Sequence, residues 1–177
     1  MINQIILACD EQGNFLEYIP KEAGHKGVGR RHLAITVLVY NSKGQVLLQR
    51  RKHQIFDSIW DFTASTHPLH KENGQDETLE QATLRALKDE YDIDNISLEK
   101  VGGFNYFARW GDLCENEYCA MMVGEYNGEI KMDPNVGYGY KWVKKEEFLK
   151  DIEKNPQQYT PWSIEGLKIL KQTGFFG

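Results

Sequence analysis

Three histidines and two glutamates are spaced in a way that could hold a metal ion. His25 and His32 bracket a glycine-containing stretch, His67 precedes a proline, and Glu115 and Glu117 flank a single asparagine. On a strand the two glutamates would point to one face, about 6–7 Å apart along it. His32 opens the apolar run LAITVLVY, which reads as a strand, and the loop upstream can fold back to bring His25 beside it. Three imidazole nitrogens and two carboxylates make a mixed shell. It suits a first-row divalent ion of near-octahedral geometry: zinc, manganese or iron, with magnesium admissible. Taken singly, each histidine reads as a loop residue and the Glu-Asn-Glu triplet as a polar strand edge. Five such residues from three regions favour the metal. His53 and His70 match nothing in this pattern and read as ordinary surface residues.

These donors need elements to position them. Apolar segments 3–9 and 14–19 around Asp10-Glu-Gln-Gly-Asn predict a hairpin, and 33–40 with 45–50 around Asn41-Ser-Lys-Gly predict a second. The stretch from Lys21 to Leu33 reads as a polar loop, and 59–65 as one strand leading into a loop with Pro68. Further strands are expected near 96–108, 116–125 and 138–143. Helices are expected over 145–153 and 161–172, the second opened by Thr160 as cap and Pro161 in its first turn.

The clearest helix is 77–91, which has no glycine or proline. At 100° per residue, Leu79, Ala82, Thr83 and Ala86 form an apolar side that Leu84, Leu87 and Tyr91 widen. Glu80 and Glu90 fall on or within that arc, while Gln81, Arg85 and Lys88 face solvent. Burying a lone carboxylate costs several kcal/mol unless a cation or hydrogen bonds offset it. Glu90 either snorkels past the sheet edge or points inward at a metal, with Ala82 and Ala86 leaving room for a ligand.

The 177 residues, 41% hydrophobic and 27% charged, suit one folded domain of α+β class with a curved mixed sheet. They exclude a disordered chain, a fibrous repeat and a disulfide miniprotein. A net charge of −5 argues against a non-specific nucleic-acid partner. Three cysteines form no paired framework, which points to a reducing, cytoplasmic setting. No apolar stretch approaches the ~18 residues of a membrane helix, and the N-terminus has no basic leader, so neither membrane nor secretion is expected. Nothing in the sequence sets an oligomeric state.

The helix also carries part of the Nudix signature, G-x5-E-x7-R-E-U-x-E-E-x-G-U with U a bulky aliphatic. Lys71, Glu77, Arg85, Ala86, Leu87, Asp89, Glu90, Asp92 and Ile93 fall at its positions. The first Glu, the Arg, the aliphatics and the last Glu are kept; both glycines and the Glu after the Arg are replaced. Four further features agree: the His25/His32 pair, the Ser65-Thr-His67-Pro-Leu loop, Glu115-Asn-Glu117, and Thr160-Pro-Trp162. Over nearly its whole length the chain resembles the type I isopentenyl-diphosphate isomerases, a divergent Nudix branch.

That resemblance implies a single Nudix-type α/β/α sandwich around a curved mixed sheet. Residues 1–31 would form an N-terminal extension, 32–150 the core and 151–177 a C-terminal helical segment. It implies a small-molecule diphosphate substrate, with magnesium held against the diphosphate by Glu90. Lys21 and Arg51 would bind the diphosphate, since strand alternation turns one of Arg50 and Arg51 inward. Arg85 ranks below them. Glu117 with Tyr106 would move protons on one side of the substrate and residue 65 on the other. Trp162 would face the carbocation-like intermediate.

Position 65 departs from the relatives, which carry a cysteine where this chain has Ser65. A thiol near pKa 8.5 exchanges protons at neutral pH, whereas a serine hydroxyl titrates far higher. Asn135 is a second departure, at a place where relatives often have a glutamate. Cys119 shares the strand face of the glutamates and reads as a small buried residue. Three activities follow: an isomerase in which Ser65 is a poor replacement or in which Glu117 and Tyr106 do most of the proton work, a Nudix diphosphate hydrolase, or a non-catalytic prenyl-diphosphate binder. The five-donor set favours the first.

Overall fold

The sheet is built on one strand, β3 (His32–Tyr40), which is buried on both faces and therefore reads as a continuous apolar run. Ala34 and Leu38 enter one core, while Ile35, Val37 and Val39 enter the other. The computed structural model describes residues 4–177, so residue 3 of the expected first strand lies outside the described residues.

An N-terminal hairpin, β1 (Ile5–Cys9) and β2 (Phe15–Pro20), leads through a one-turn helix, α1 (Lys21–His25), into β3. After β3 come β4 (Gln45–Arg51) and the short strands β5 (Trp60–Asp61), β6 (Ala64–Thr66) and β7 (Leu69–His70). Helix α2 (Leu79–Tyr91) is followed by a long hairpin, β8 (Leu98–Trp110) and β9 (Leu113–Glu125), then β10 (Gly137–Lys144), α3 (Lys145–Lys154) and α4 (Pro161–Gln172). The main path of the sheet runs β10-β4-β3-β1-β2; β9 pairs with β3 and carries β8. The β3–β9 pairing is parallel and the rest antiparallel, which makes the sheet mixed.

Helix α2 covers one face of the sheet with Ala82, Ala86, Leu87 and Tyr91. Helices α3 and α4 cover the other with Phe148, Ile152, Trp162, Leu167 and Leu170. This is the expected α/β/α sandwich. Helix α2 begins two residues later than expected because Thr78 takes the cap: its hydroxyl accepts from Gln81 N while Gln81 Oε1 accepts from Thr78 N. That start leaves Glu80 exposed in the first turn, outside the apolar arc. Thr160 caps α4 ahead of Pro161, as the sequence indicates.

Two segments differ from expectation. The polar stretch after Pro20 contains α1, followed by an irregular return to β3. Segment 59–65 is two strands, because the chain changes partner at Phe62-Thr63. Asp61 pairs with Gln49 of β4, and Ala64 pairs with Val37 of β3. The Thr63 hydroxyl fills the break, donating to the Leu47 carbonyl at 2.7 Å and accepting from Val39 N at 2.8 Å.

Candidate active site

The parallel β3–β9 register sets His32 directly beside Glu117, and the β8–β9 register sets Tyr106 on the other side of Glu117. Glu115 lies two residues along β9 on the same face. His25 closes α1 and His67 follows β6, so four segments of chain bring five side chains together. Gly24 makes this approach possible: a Cβ there would stand 2.8 Å from His32 Nδ1.

The three imidazole rings form a nearly equilateral triangle, with centroids 4.7, 4.9 and 5.0 Å apart. One donor atom from each of His25, His32, His67, Glu115 and Glu117 lies within 4.8 Å of all the others. His32 Nδ1 donates to the Arg30 carbonyl at 2.8 Å and His25 Nδ1 to the Cys114 carbonyl at 3.2 Å. Carbonyls only accept, so Nδ1 donates on both rings, and each ring when neutral keeps its lone pair on Nε2. Those two Nε2 atoms are buried without a hydrogen-bond partner, and Glu115 Oε2 has only the His25 Nδ1 atom 3.0 Å away, which already donates to the Cys114 carbonyl. Orphaned acceptors converging on one point are what a cation would satisfy, and the set therefore fits a divalent ion.

The electrostatics agree. Burial and the neighbouring Glu117 charge push the Glu115 carboxyl up. Burial opposes ionisation of Glu117 too, yet His32 and the Tyr106 hydroxyl hold it low. Glu117 Oε1 lies 2.9 Å from His67 Nε2 and 3.4 Å from His32 Nε2, and Tyr106 donates to Oε2. Burial, with His32 and His25 beside it, holds the His67 ring well below the usual imidazole range.

Four members of this cluster, His25, His67, Glu115 and Glu117, line a cavity of about 830 Å³. Lys21, Arg51, Ser65, Glu90, Tyr106 and Trp162 all line it, as do Cys119 and Asn135. Apart from His32, which sits buried behind the wall, every residue given a role from the sequence lines this one space. Arg51 turns inward while Arg50 faces solvent. Ser65 pairs in register with Thr36, on the edge of β3 opposite β9. Glu90 is pushed up to about 7, chiefly by burial, and accepts from Gln49 Nε2 at 2.9 Å.

Here one residue departs from the sequence reading. Arg85 does not face solvent: it forks onto Glu77 at 2.9 and 2.8 Å and donates to the His67 carbonyl. His53 is exposed, as expected, and also lines the cavity, where partial burial and then the cations Arg51 and Lys21 push it down to about 4. His70 pairs with Asp76 away from the cavity. Gln49 and Asp61 went unassigned. Each is a buried polar residue directly after an apolar stretch, Val46-Leu-Leu48 for Gln49 and Ile59-Trp60 for Asp61, and that is the signal that could have found them.

The Glu77–Arg85 pair is scaffolding, since Glu77 also accepts from Leu69 N. The Glu77→Gln variant is expected to lose about 2 kcal/mol, less than the ~3–5 of a fully buried broken pair because Arg85 is 30% exposed. Burial alone would raise the Glu77 carboxyl, but Arg85 holds it below its ordinary value. A depressed carboxyl stabilises above its unfolded pKa and ceases to as pH falls through the folded one. The difference between parent and variant, read from urea midpoints, should be full at pH 7 and shrink below pH 4.5. A pH-independent difference would rule out the ion pair as its source.

Residues 30–163 match the family model described as NUDIX domain. The chain belongs to the NUDIX family. It is 32% identical over 165 residues to isopentenyl-diphosphate Delta-isomerase 2 of Aromatoleum aromaticum, covering 92% of this chain and 83% of that protein. It is 31% identical over 180 residues to isopentenyl-diphosphate Delta-isomerase of Photobacterium profundum, covering 96% of each. Within the NUDIX family, then, the chain is isopentenyl-diphosphate isomerase-like. Solved structures agree on the NUDIX fold. DR0079 from Deinococcus radiodurans aligns with a TM-score of 0.63 at 17% identity, covering 85% of this chain and 89% of that one. A Caenorhabditis elegans Ap4A hydrolase aligns at 0.55 and 15% identity, covering 81% and 96%. No helix among the described residues of this NUDIX protein is long and apolar enough to cross a membrane.

Proposed function

We propose that the chain is a metal-dependent isomerase that moves the double bond of a prenyl diphosphate of the isopentenyl type. The observation that carries this reading is the Tyr106–Glu117 pair joined to the three-histidine cluster inside the cavity. Diphosphate hydrolysis has no evident use for such a set. The metal-binding capacity of α2 and the residue before its cap is also thin: Glu77 is tied to Arg85, position 86 is alanine, Asp89 is exposed and, of the helix carboxylates, Glu90 alone enters the cavity.

His25, His32, His67, Glu115 and Glu117 would hold a divalent ion, and Glu90 would share a magnesium ion with the substrate diphosphate. The bound ions would supply fixed positive charge that offsets the clustered carboxylates and the diphosphate. Lys21 and Arg51, which line the same cavity, would hold the diphosphate oxygens. Glu117 and Tyr106 would exchange a proton with one face of the allylic unit, and Ser65 would complete the transfer from the other edge of β3. The rings of Tyr106 and Trp162, 6.0 Å apart, would face the cationic carbon.

Incubation with magnesium and isopentenyl diphosphate in D2O tests this directly. Deuterium is expected at the allylic carbons, with the isomeric dimethylallyl product. Phosphate release from a panel of diphosphates, without exchange, would establish a hydrolase instead. Tight binding with neither reaction would establish a binder.

A further inference from the structure

We propose that Asp61 is a positioning residue for the anion-binding side of the cavity, acting through Arg51 while it also orients Trp162. This rests on the reading of the cavity as a diphosphate site. Asp61 is fully buried at the end of β5 and lies behind the cavity wall. Its Oδ1 accepts from Phe62 N at 2.8 Å, Trp162 Nε1 at 2.7 Å, and the hydroxyls of Thr160 and Ser163 at 2.9 Å each. Its Oδ2 accepts from Arg51 NH1 at 3.0 Å and the Ser65 hydroxyl at 3.4 Å.

One carboxylate therefore ties β4, β5, β6 and the start of α4 together. Three of the side chains it holds, Arg51, Ser65 and Trp162, line the cavity. The Arg51 guanidinium lies 4.8 Å from the centre of the Trp162 ring, and its buried Nε has no partner. With one nitrogen fixed by Asp61, the remaining donors of the fork stay available to an anion. Arginine has many rotamers, and ordering it before the ligand arrives removes a cost that binding would otherwise carry.

The Asp61→Asn variant separates this role from a purely structural one. Asparagine keeps a carbonyl oxygen for Trp162, Thr160 and Ser163, but sets its NH2 against the Arg51 guanidinium, donor against donor. Titration calorimetry with inorganic diphosphate and magnesium would compare the parent, Asp61→Asn, Arg51→Ala and the double variant. Asp61→Asn should bind about tenfold more weakly, with no further loss in the Arg51→Ala background. The Trp162 indole N–H resonance, identified by its absence in Trp162→Phe, should keep its hydrogen-bonded position. Independent, additive losses would overturn the proposal. So would unchanged or tighter binding by Asp61→Asn, the latter marking Asp61 as a counter-charge. If Asp61→Asn does not fold, Arg51→Lys serves: it keeps the charge but not the fork, and parental affinity in that variant would overturn the proposal. A parent that binds no diphosphate would instead defeat the underlying reading of the cavity, and the proposal with it.

Discussion

Replacing Glu117 by glutamine is expected to lower deuterium exchange into isopentenyl diphosphate by about 10³-fold, within the range of positioned general acid–base groups. Glu117 serves twice in the proposed chemistry, since Oε1 faces His32 and His67 while Oε2 takes the Tyr106 hydroxyl. Glutamine fills the same space but cannot relay a proton. Exchange within tenfold of the parent would remove Glu117 from the chemistry. Metal content separates the two roles: purified His67→Ala keeps the Glu117–Tyr106 pair and should lose the ion by elemental analysis. Full occupancy in His67→Ala would refute the donor set. Stability adds an independent reading. Without metal, buried Glu115 and Glu117 repel, as the raised Glu115 carboxyl indicates. Against burial, His32 and Tyr106 nonetheless hold Glu117 itself low, so metal-free Glu117→Gln should melt below the metal-free parent, and the gap should widen once metal is added.

The Ser65→Cys variant is expected to isomerise about 10²-fold faster, at an unchanged KM for the diphosphate substrate. A thiol titrates near pH 8.5 and trades protons at neutral pH, while a serine hydroxyl stays protonated. Arg51 and Lys21 are untouched by the change, so the diphosphate should bind as before. The Asp61 oxygen 3.4 Å from the Ser65 hydroxyl opposes a thiolate at this position, so the gain should be larger at pH 8 than at pH 7. An unchanged rate would show that residue 65 takes no part in proton transfer here. Isomerisation would then rest on Glu117 and Tyr106 alone.

The strands of β3 and β4, the span of α2 and the capped start of α4 were legible because each rests on local chemistry: alternation, strong helix formers, Thr-Pro at a helix start. The site residues were legible where type and spacing coincide, as in Glu115-Asn-Glu117 and His25/His32. The rest depends on long-range pairing. Nothing near Arg85 in the chain announces that it folds back onto Glu77 and the His67 carbonyl, so a helical wheel placed it in solvent. The break between β5 and β6 arises from a change of strand partner, which leaves no periodicity in IWDFTAS. His53 takes its lowered ring from partial burial at the cavity, from neighbouring Arg51 and from Lys21, which the fold brings near it. Asp61 gathers donors from Thr160, Trp162 and Ser163, about a hundred residues away.

The parallel pairing of β3 with β9 has a consequence for how the chain reaches its native state. A hairpin sets its own register through its turn, but these two strands are joined by more than seventy residues and have no turn to align them. Sliding β9 by a single residue would send Glu115 and Glu117 to the opposite face, away from His32. A divalent ion can be captured only when that alignment is right. Metal capture would therefore act as a proofreading step for sheet assembly, rewarding the one alignment that also makes the site.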